Sequence, residues 1–232
     1  NDFSFDRKKD CAVLRSFQGC DLKGITAKIE EGYFDALGVD AIWMTPMFKN
    51  NPVQGSGDDI SAAYHGYWIT DFTQFDPHFG TNAEMEALVA EAHDRDIKVF
   101  FDIITNHTAD VIQYEEGEYT YRNKAAYPYL DADGVAFDDR DYAGTGTFPP
   151  LDPAVSFPYE PTFATPSDAT VKAPAFLNDA TLYHNRGNST FSGESSQYGD
   201  FFGLDDLFTE HPTVVEGMID AHKAMISTFG ID

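Results

Sequence analysis

Val99-Phe100-Phe101-Asp102-Ile103-Ile104-Thr105-Asn106-His107 is the stretch that decides the fold. An apolar, strand-forming run ends there in a packet of polar side chains. Asp102 sits inside the run, where a central strand would leave it unsolvated, and Asn106 and His107 follow where the backbone leaves the sheet. In a parallel α/β barrel the carboxyl ends of the strands form the working face, so the packet marks a candidate site. Taken alone, the run also fits a buried aspartate paired with a neighbouring strand, followed by a polar turn.

Working back towards the amino end, Thr81-Asn82-Ala83-Glu84 has the spacing of a capping box, and Met85, Leu88, Val89, Ala92 and His93 follow on one helical face. A helix from about Asn82 to Arg95 would cover the sheet. Further back, Asp21-Leu22-Lys23-Gly24 leads into Ile25, Ile29, Tyr33 and Leu37, a helical series closed by Gly38. Asp40-Ala41-Ile42-Trp43-Met44-Thr45-Pro46 then reads as a short buried strand stopped by proline. Two αβ units of the same kind result. Between them, Phe48 to Ala63 is rich in Asn, Gly, Ser and Asp and reads as a long loop ending at Tyr64-His65-Gly66-Tyr67-Trp68.

Past His107 the pattern breaks. Over residues 108–203 Tyr, Phe, Pro, Gly and Asp interleave with no period of 3.6, and no helix of ordinary length can be placed. A structureless loop of that length is abnormal in a compact domain, so the segment is expected to be a small irregular or β-rich subdomain that needs something to pin it. Thr213-Val214-Val215-Glu216 offers a second capping box, followed by a stripe of Val215, Met218, Ile219, His222, Ile226 and Phe229 up to Gly230. Ile231-Asp232 would begin the next strand.

With 232 residues, 42% hydrophobic and 15% aromatic, the chain is globular and fits one large domain or two smaller ones. Fifteen basic residues face 39 acidic ones, a net charge of −24, which repels nucleic acid and anionic membranes and leaves a neutral or cationic partner. Such acidity suits a secreted or salt-adapted protein, one that holds divalent cations, or simply a well-solvated surface. No run of about 18 apolar residues suggests a membrane span, and no signal peptide begins the chain; Asn1-Asp2-Phe3-Ser4 reads as mid-protein loop, so a signal could lie upstream. Cys11 and Cys20, nine residues apart, fit either a short-range disulfide or two free thiols.

Asp102-Ile103-Ile104-Thr105-Asn106-His107, Tyr64-His65-Gly66-Tyr67-Trp68-Ile69-Thr70-Asp71-Phe72 with Gly80-Thr81 beyond it, and Gly203-Leu204-Asp205-Asp206-Leu207 together resemble the α-amylase family of glycoside hydrolases. The segment from Cys11 to Trp43 is similar to cyclodextrin glucanotransferases and maltogenic amylases as well as to secreted bacterial α-amylases, which often carry a cysteine pair nearby. The resemblance covers the chain apart from the middle of the 108–203 segment. Asp205 stands where the family usually has proline or alanine.

The resemblance implies an α/β fold: part of a (β/α)8 TIM barrel, with an irregular or β-rich domain B inserted after barrel strand three. Residues 1–107 would be barrel from helix one to strand three, 108–203 the insert, and 204–232 the return with helix three and the start of strand four. The arginine, the nucleophilic aspartate and the two further carboxylates of the family would lie beyond Asp232, so no catalytic carboxylate is expected here and the remainder of the barrel is required. The implied substrate is an α-glucan, and the implied activity is retaining, secreted hydrolysis of α-1,4-glucosidic bonds in starch, glycogen or maltodextrins. A transglycosylase of the same fold is one alternative, and a non-catalytic carbohydrate-binding or partner relative is another.

By the same resemblance His65 and His107 would hydrogen-bond hydroxyls of the sugar being cleaved, and Tyr67 would stack on its apolar face. Trp68 would extend that wall, although either aromatic could also be core. Asp102 would pair with the arginine that steers the nucleophile. Asn106 and Asp206 would ligate a calcium ion that pins domain B to strand three. A second calcium ion would use Asn1, Asp2, Asp21 and the Gly19 carbonyl.

Overall fold

A computed structural model describes residues 16–17, 21–55 and 60–232. Asn1, Asp2 and Gly19 of the second calcium set lie outside them, as do Cys11 and Cys20, so neither that site nor the pairing of the cysteines is described. Contacts divide the chain into two units: Asn1–Ile104 with Ala221–Asp232, and Thr105–Asp220.

In the first unit, α1 (Leu22–Glu30) and α2 (Tyr33–Leu37) stand where the series Ile25, Ile29, Tyr33, Leu37 leads one to expect a single helix. The helix breaks at Gly32, whose φ of 72° is left-handed. Glycine takes that conformation without steric cost, and the spacing of the side chains does not register it. Ile29 is buried, but Tyr33 and Leu37, beyond the break, are exposed. β1 (Ala41–Met44) follows. The expected long loop instead holds three short strands, β2 (Phe48–Asn50), β3 (Val53–Gln54) and β4 (Ser61–Ala62). β3 pairs with β4, and β2 pairs with β5 (Ile69–Phe75), a strand concealed inside the motif at residues 64–72.

α3 (Asn82–His93) begins at the expected capping box: the Glu84 N–H donates to Thr81 Oγ1 at 3.2 Å, and the Thr81 N–H to Glu84 Oε2 at 2.8 Å. Two donors of the first turn are thereby satisfied. The helix buries Met85, Leu88, Val89 and Ala92 and packs on α1 and on β6 (Lys98–Phe101). β6 runs parallel to β1, with Ala41 opposite Lys98 and Met44 opposite Phe101. β1 is not the buried strand expected: Trp43 is 75% exposed and Phe100 is 39% exposed, because two parallel strands alone cannot cover both of their faces. Asp232 lies beside β6, where its N–H donates to the Val99 carbonyl at 3.0 Å, but residues 231–232 form no strand.

The second unit has little regular structure. β7 (Ile112–Tyr114), β8 (Tyr129–Leu130), β9 (Ala136–Phe137) and β10 (Pro161–Phe163) form two antiparallel pairs, β7 with β10 and β8 with β9. Short 3-10 turns and the four-residue α4 (Ser195–Tyr198) complete it up to α5 (Pro212–Phe229). Its interior is aromatic and charged. Arg186 is fully buried, donates to the carbonyls of Arg122 and Tyr127 at 2.9 Å each, and lies 3.8 Å over the ring of Tyr129.

α5 does not use the expected box at Thr213 and Glu216. It begins one residue earlier, with Pro212 in the first turn, and His211 Nδ1 accepts the Thr213 N–H at 3.2 Å. The buried face is Val214, Met218, Ala221, His222, Met225 and Phe229, so Val215, Ile219 and Ile226 of the expected stripe are exposed. Met218, His222 and Phe229 of that stripe are buried as expected, and the shift at the other positions keeps the same helical period.

Candidate active site

The first unit gathers four of the expected residues. Gly66 makes the turn between His65 and Tyr67: its φ is 86°, and a Cβ there would meet the Pro46 carbonyl oxygen at 1.9 Å. Only glycine fits both demands. His65 Nδ1 accepts the Tyr67 N–H at 3.0 Å, which fixes the tautomer with the proton on Nε2. Burial lowers the pKa of His65, so the ring stays neutral and keeps that Nε2–H as a donor. Tyr67 stacks on His65 at 5.6 Å between ring centres and donates its hydroxyl to Asp102 Oδ2 at 2.5 Å. Asp102 follows β6, and its N–H donates to the Met44 carbonyl at 2.9 Å. The hydrogen bond to Asp102 is the main reason the Tyr67 pKa is raised, with burial second. Trp68 is held by its own N–H on Asn50 Oδ1 at 2.6 Å and packs on Phe17, Ala62 and Ala63.

The second unit holds His107, Asn106 and Asp206. His107 and Asp206 face each other in an antiparallel bridge, and the Leu207 N–H donates to the Asn106 carbonyl at 2.8 Å. The segment after β6 is thereby paired with the motif near residue 205, a hundred positions along. The His107 ring lies parallel to Phe201 at 6.2 Å. Phe201, Phe191 and Phe202 form a mutually packed trio, 47%, 50% and 76% exposed. Phe191 and Phe202 have φ of 57° and 53°, conformations that cost a non-glycine residue roughly 1–3 kcal/mol. The trio is thus an exposed apolar patch beside His107.

Asp206 has the features of a cation ligand. Its Oδ2 is buried without a hydrogen-bond partner, with His184 Nε2 at 3.7 Å. Burial, then Lys124 and Arg186, hold the His184 pKa well below its ordinary value, so that ring brings no positive charge. Burial, then the charges of Asp200 and Glu210, push the Asp206 carboxyl well up. Asp200 donates nothing in return: its Oδ1 accepts the Asp206 N–H at 3.1 Å and its Oδ2 the Tyr114 hydroxyl at 2.6 Å. Buried carboxylates that lack a protein cation fit an oxygen-seeking divalent ion. Among the described residues, however, no group of three or more His, Cys, Asp or Glu side chains forms a metal cage, so calcium here would also need carbonyl and amide oxygens. The Asn106 side chain is exposed. Asp205 is different: Lys172 Nζ lies 2.6 Å from it, and the N–H groups of Val111 and Ile112 donate to it at 3.1 Å. Sequence reasoning missed Asp200, Lys172 and Phe201: none sits in a quoted motif, and each has a partner far along the chain, Tyr114, Asp205 and His107 respectively.

Residues 4–232 match the family model for the α-amylase catalytic domain. The chain belongs to that family. An α-amylase of Streptomyces lividans is 56% identical over 93% of this chain and 23% of its own length. A cyclomaltodextrin glucanotransferase of Geobacillus stearothermophilus is 30% identical over 96% of this chain and 26% of its own length. The crystal structure of an α-amylase from Geobacillus thermoleovorans, complexed with acarbose, is 30% identical with a TM-score of 0.57, covering 94% of this chain and 34% of that one. The chain thus spans about a quarter of the length of the curated relatives it matches. Its αβ units are part of an α-amylase catalytic domain, whose architecture is a (β/α)8 barrel.

Proposed function

We propose that the complete protein is a retaining glycosidase that cleaves α-1,4-glucosidic bonds in starch-like glucans, and that this chain supplies sugar-holding residues while the catalytic carboxylates lie elsewhere in the protein. The observation that carries the reading is the linked set Asp102, Tyr67 and His65: an aromatic plane anchored through its hydroxyl, beside a neutral imidazole whose tautomer is fixed as a donor. Retaining hydrolysis needs two carboxyl groups about 5 Å apart, and neutral groups that hold the sugar while its ring flattens. In the first unit Tyr67 stacks on a sugar face, His65 Nε2–H binds a hydroxyl, Trp68 backs the same wall and Asp102 positions Tyr67; in the second, His107 binds a hydroxyl. Every one of these contacts strengthens catalysis only if it tightens in the transition state.

Residues 108–203, within the second unit, are read as domain B. Asn106 and Asp206 would hold calcium between its two ends; the ion supplies positive charge to buried oxygens and a bond across the insert. Asp21, of the second calcium set, precedes α1. The further strands of the barrel would cover Trp43 and Phe100, and the net charge of −24 suits an exported enzyme acting on a neutral polymer. One observation favours a transglycosylase as the second reading: the exposed Phe191, Phe201 and Phe202 beside His107 could hold a sugar acceptor in place of water.

Reducing-sugar release from soluble starch by the complete protein tests the reading. Tyr67→Ala and His107→Ala should each lower kcat/KM at least about tenfold, the effect of losing roughly 1.4 kcal/mol of transition-state contact. Unchanged kinetics in both variants would return these residues to a packing role, and cyclic products would select the transglycosylase.

A further inference from the structure

We propose that the second unit carries an additional binding site for a neutral oligosaccharide, in a cavity of about 630 Å3 lined by Lys124, Asp138, Asp139, Arg140, Glu194, Gln197 and Tyr198. Its assignment to an α-glucan rests on the function proposed above. None of these residues belongs to the sugar-holding set or to the calcium ligands.

The charges of the cavity are already spent on one another. Lys124 Nζ lies 2.6 Å and 2.7 Å from the two Asp139 oxygens and 3.4 Å from the centre of the Tyr198 ring. Arg140 holds Asp138 through two bonds, at 3.0 Å and 2.6 Å. Glu194 Oε1 accepts the Tyr121 hydroxyl at 2.8 Å and the Lys124 N–H at 2.7 Å. Burial opposes the Glu194 charge, but the Lys124 N–H and the Tyr121 hydroxyl outweigh it, so the pKa falls and the group stays a carboxylate. Two cations against three carboxylates leave a slight excess of negative charge, which disfavours phosphate and other anions.

The hydrogen-bonding capacity, by contrast, is not spent. Among the described residues the Gln197 amide, the Tyr198 hydroxyl and Glu194 Oε2 have no hydrogen-bond partner. Burial, then the charges of Asp139 and Glu210, push the Tyr198 hydroxyl up to about 12, so it remains a donor. Compensated charges lining one cavity with an unpartnered donor, acceptor and amide recognise hydroxyl groups rather than charge. Ligand cavities run to about 300–1,000 Å3, and this one is of a size for a short oligosaccharide.

The test is the stoichiometry of acarbose on the complete protein, read by calorimetry beside inhibition of starch hydrolysis. Two sites are expected in the wild type, only one of which tracks inhibition. In Gln197→Ala/Tyr198→Phe the site that does not track inhibition should weaken at least about tenfold, with the inhibition constant and the melting temperature unchanged. A single site in the wild type would overturn the proposal without any variant, as would a second site indifferent to the double substitution. Inhibition at one site alone removes only this proposal. Acarbose that neither binds nor inhibits removes the α-glucan reading as well.

Discussion

The two units are held together by different physics. The first is built from backbone pairing and apolar faces: β1 beside β6, α3 laid on α1 and β6, and a core that includes Ile29, Ile69, Met85, Leu88 and Val99. The second has strands of two or three residues, and its inner contacts are ionic and aromatic: Lys172 on Asp205, Lys124 on Asp139, Arg186 over Tyr129. A region that cannot bury enough apolar surface can still adopt one structure if its polar groups have specific partners, but each partner then becomes indispensable. The first unit should tolerate loss of an ion pair and suffer from a cavity; the second should fail when a single charge is left alone.

The sharpest break is Lys172→Met. Lys172 and Asp205 are both buried, and removing the ammonium leaves a carboxylate in the interior, at a cost of about 3–5 kcal/mol. Lys23→Met in the first unit removes an exposed pair with Glu84 and should leave the unfolding temperature of the complete protein unchanged. Equal effects in the two variants would erase the distinction between the units.

Next in size is Leu88→Ala, which opens a cavity under α3 and should cost about 3 kcal/mol by thermal or denaturant unfolding. A cost well below 1 kcal/mol would mean that the α3 face is not the packing surface of its unit.

The smallest effect concerns the start of α5. His211 Nδ1 can accept the Thr213 N–H only while the ring is neutral, and burial lowers its pKa from the usual value. A histidine whose folded pKa lies below its unfolded value stabilises the fold above about pH 6.5, and that stability is lost as the pH falls from there towards the folded pKa. His211→Asn keeps an acceptor at the cap but does not titrate, so it should remove a loss of about 1 kcal/mol between neutral and mildly acidic pH. The measurement is the difference in unfolding temperature between variant and wild type at the two pH values; a constant difference would release His211 from this role.

These differences also decide what the sequence made legible. The capping box of α3 and the parallel strand before Asp102 depend on neighbours in sequence, and both are found where the residues indicate. Gly32 hides its break because the apolar spacing continues across it, and β5 hides inside a motif that reads as a sugar-site block. Met218, His222 and Phe229 of the expected α5 stripe are buried, but Val214 and Met225 take the places of Val215 and Ile226, a one-residue difference that the helical period alone does not resolve. Lys172 and Asp205 are 33 residues apart, and the two sides of the His107 and Asp206 bridge are further apart still, so no local pattern could have paired them. In the first unit the sequence named His65, Tyr67 and Asp102 but not the hydrogen bonds that join them.

If compensation of buried charge orders the second unit, as proposed, a cation on Asp206 is the member supplied from solution. The direct measurement is the melting of the complete protein with calcium and with chelator, in the wild type and in Asp206→Asn. An ion that binds only the folded form stabilises it by RT ln(1 + [L]/Kd), so calcium should raise the wild-type unfolding temperature, and Asp206→Asn, which removes a full negative charge, should shrink that rise. A wild type that melts at the same temperature in both buffers, or a variant that keeps the whole calcium shift, would contradict the claim.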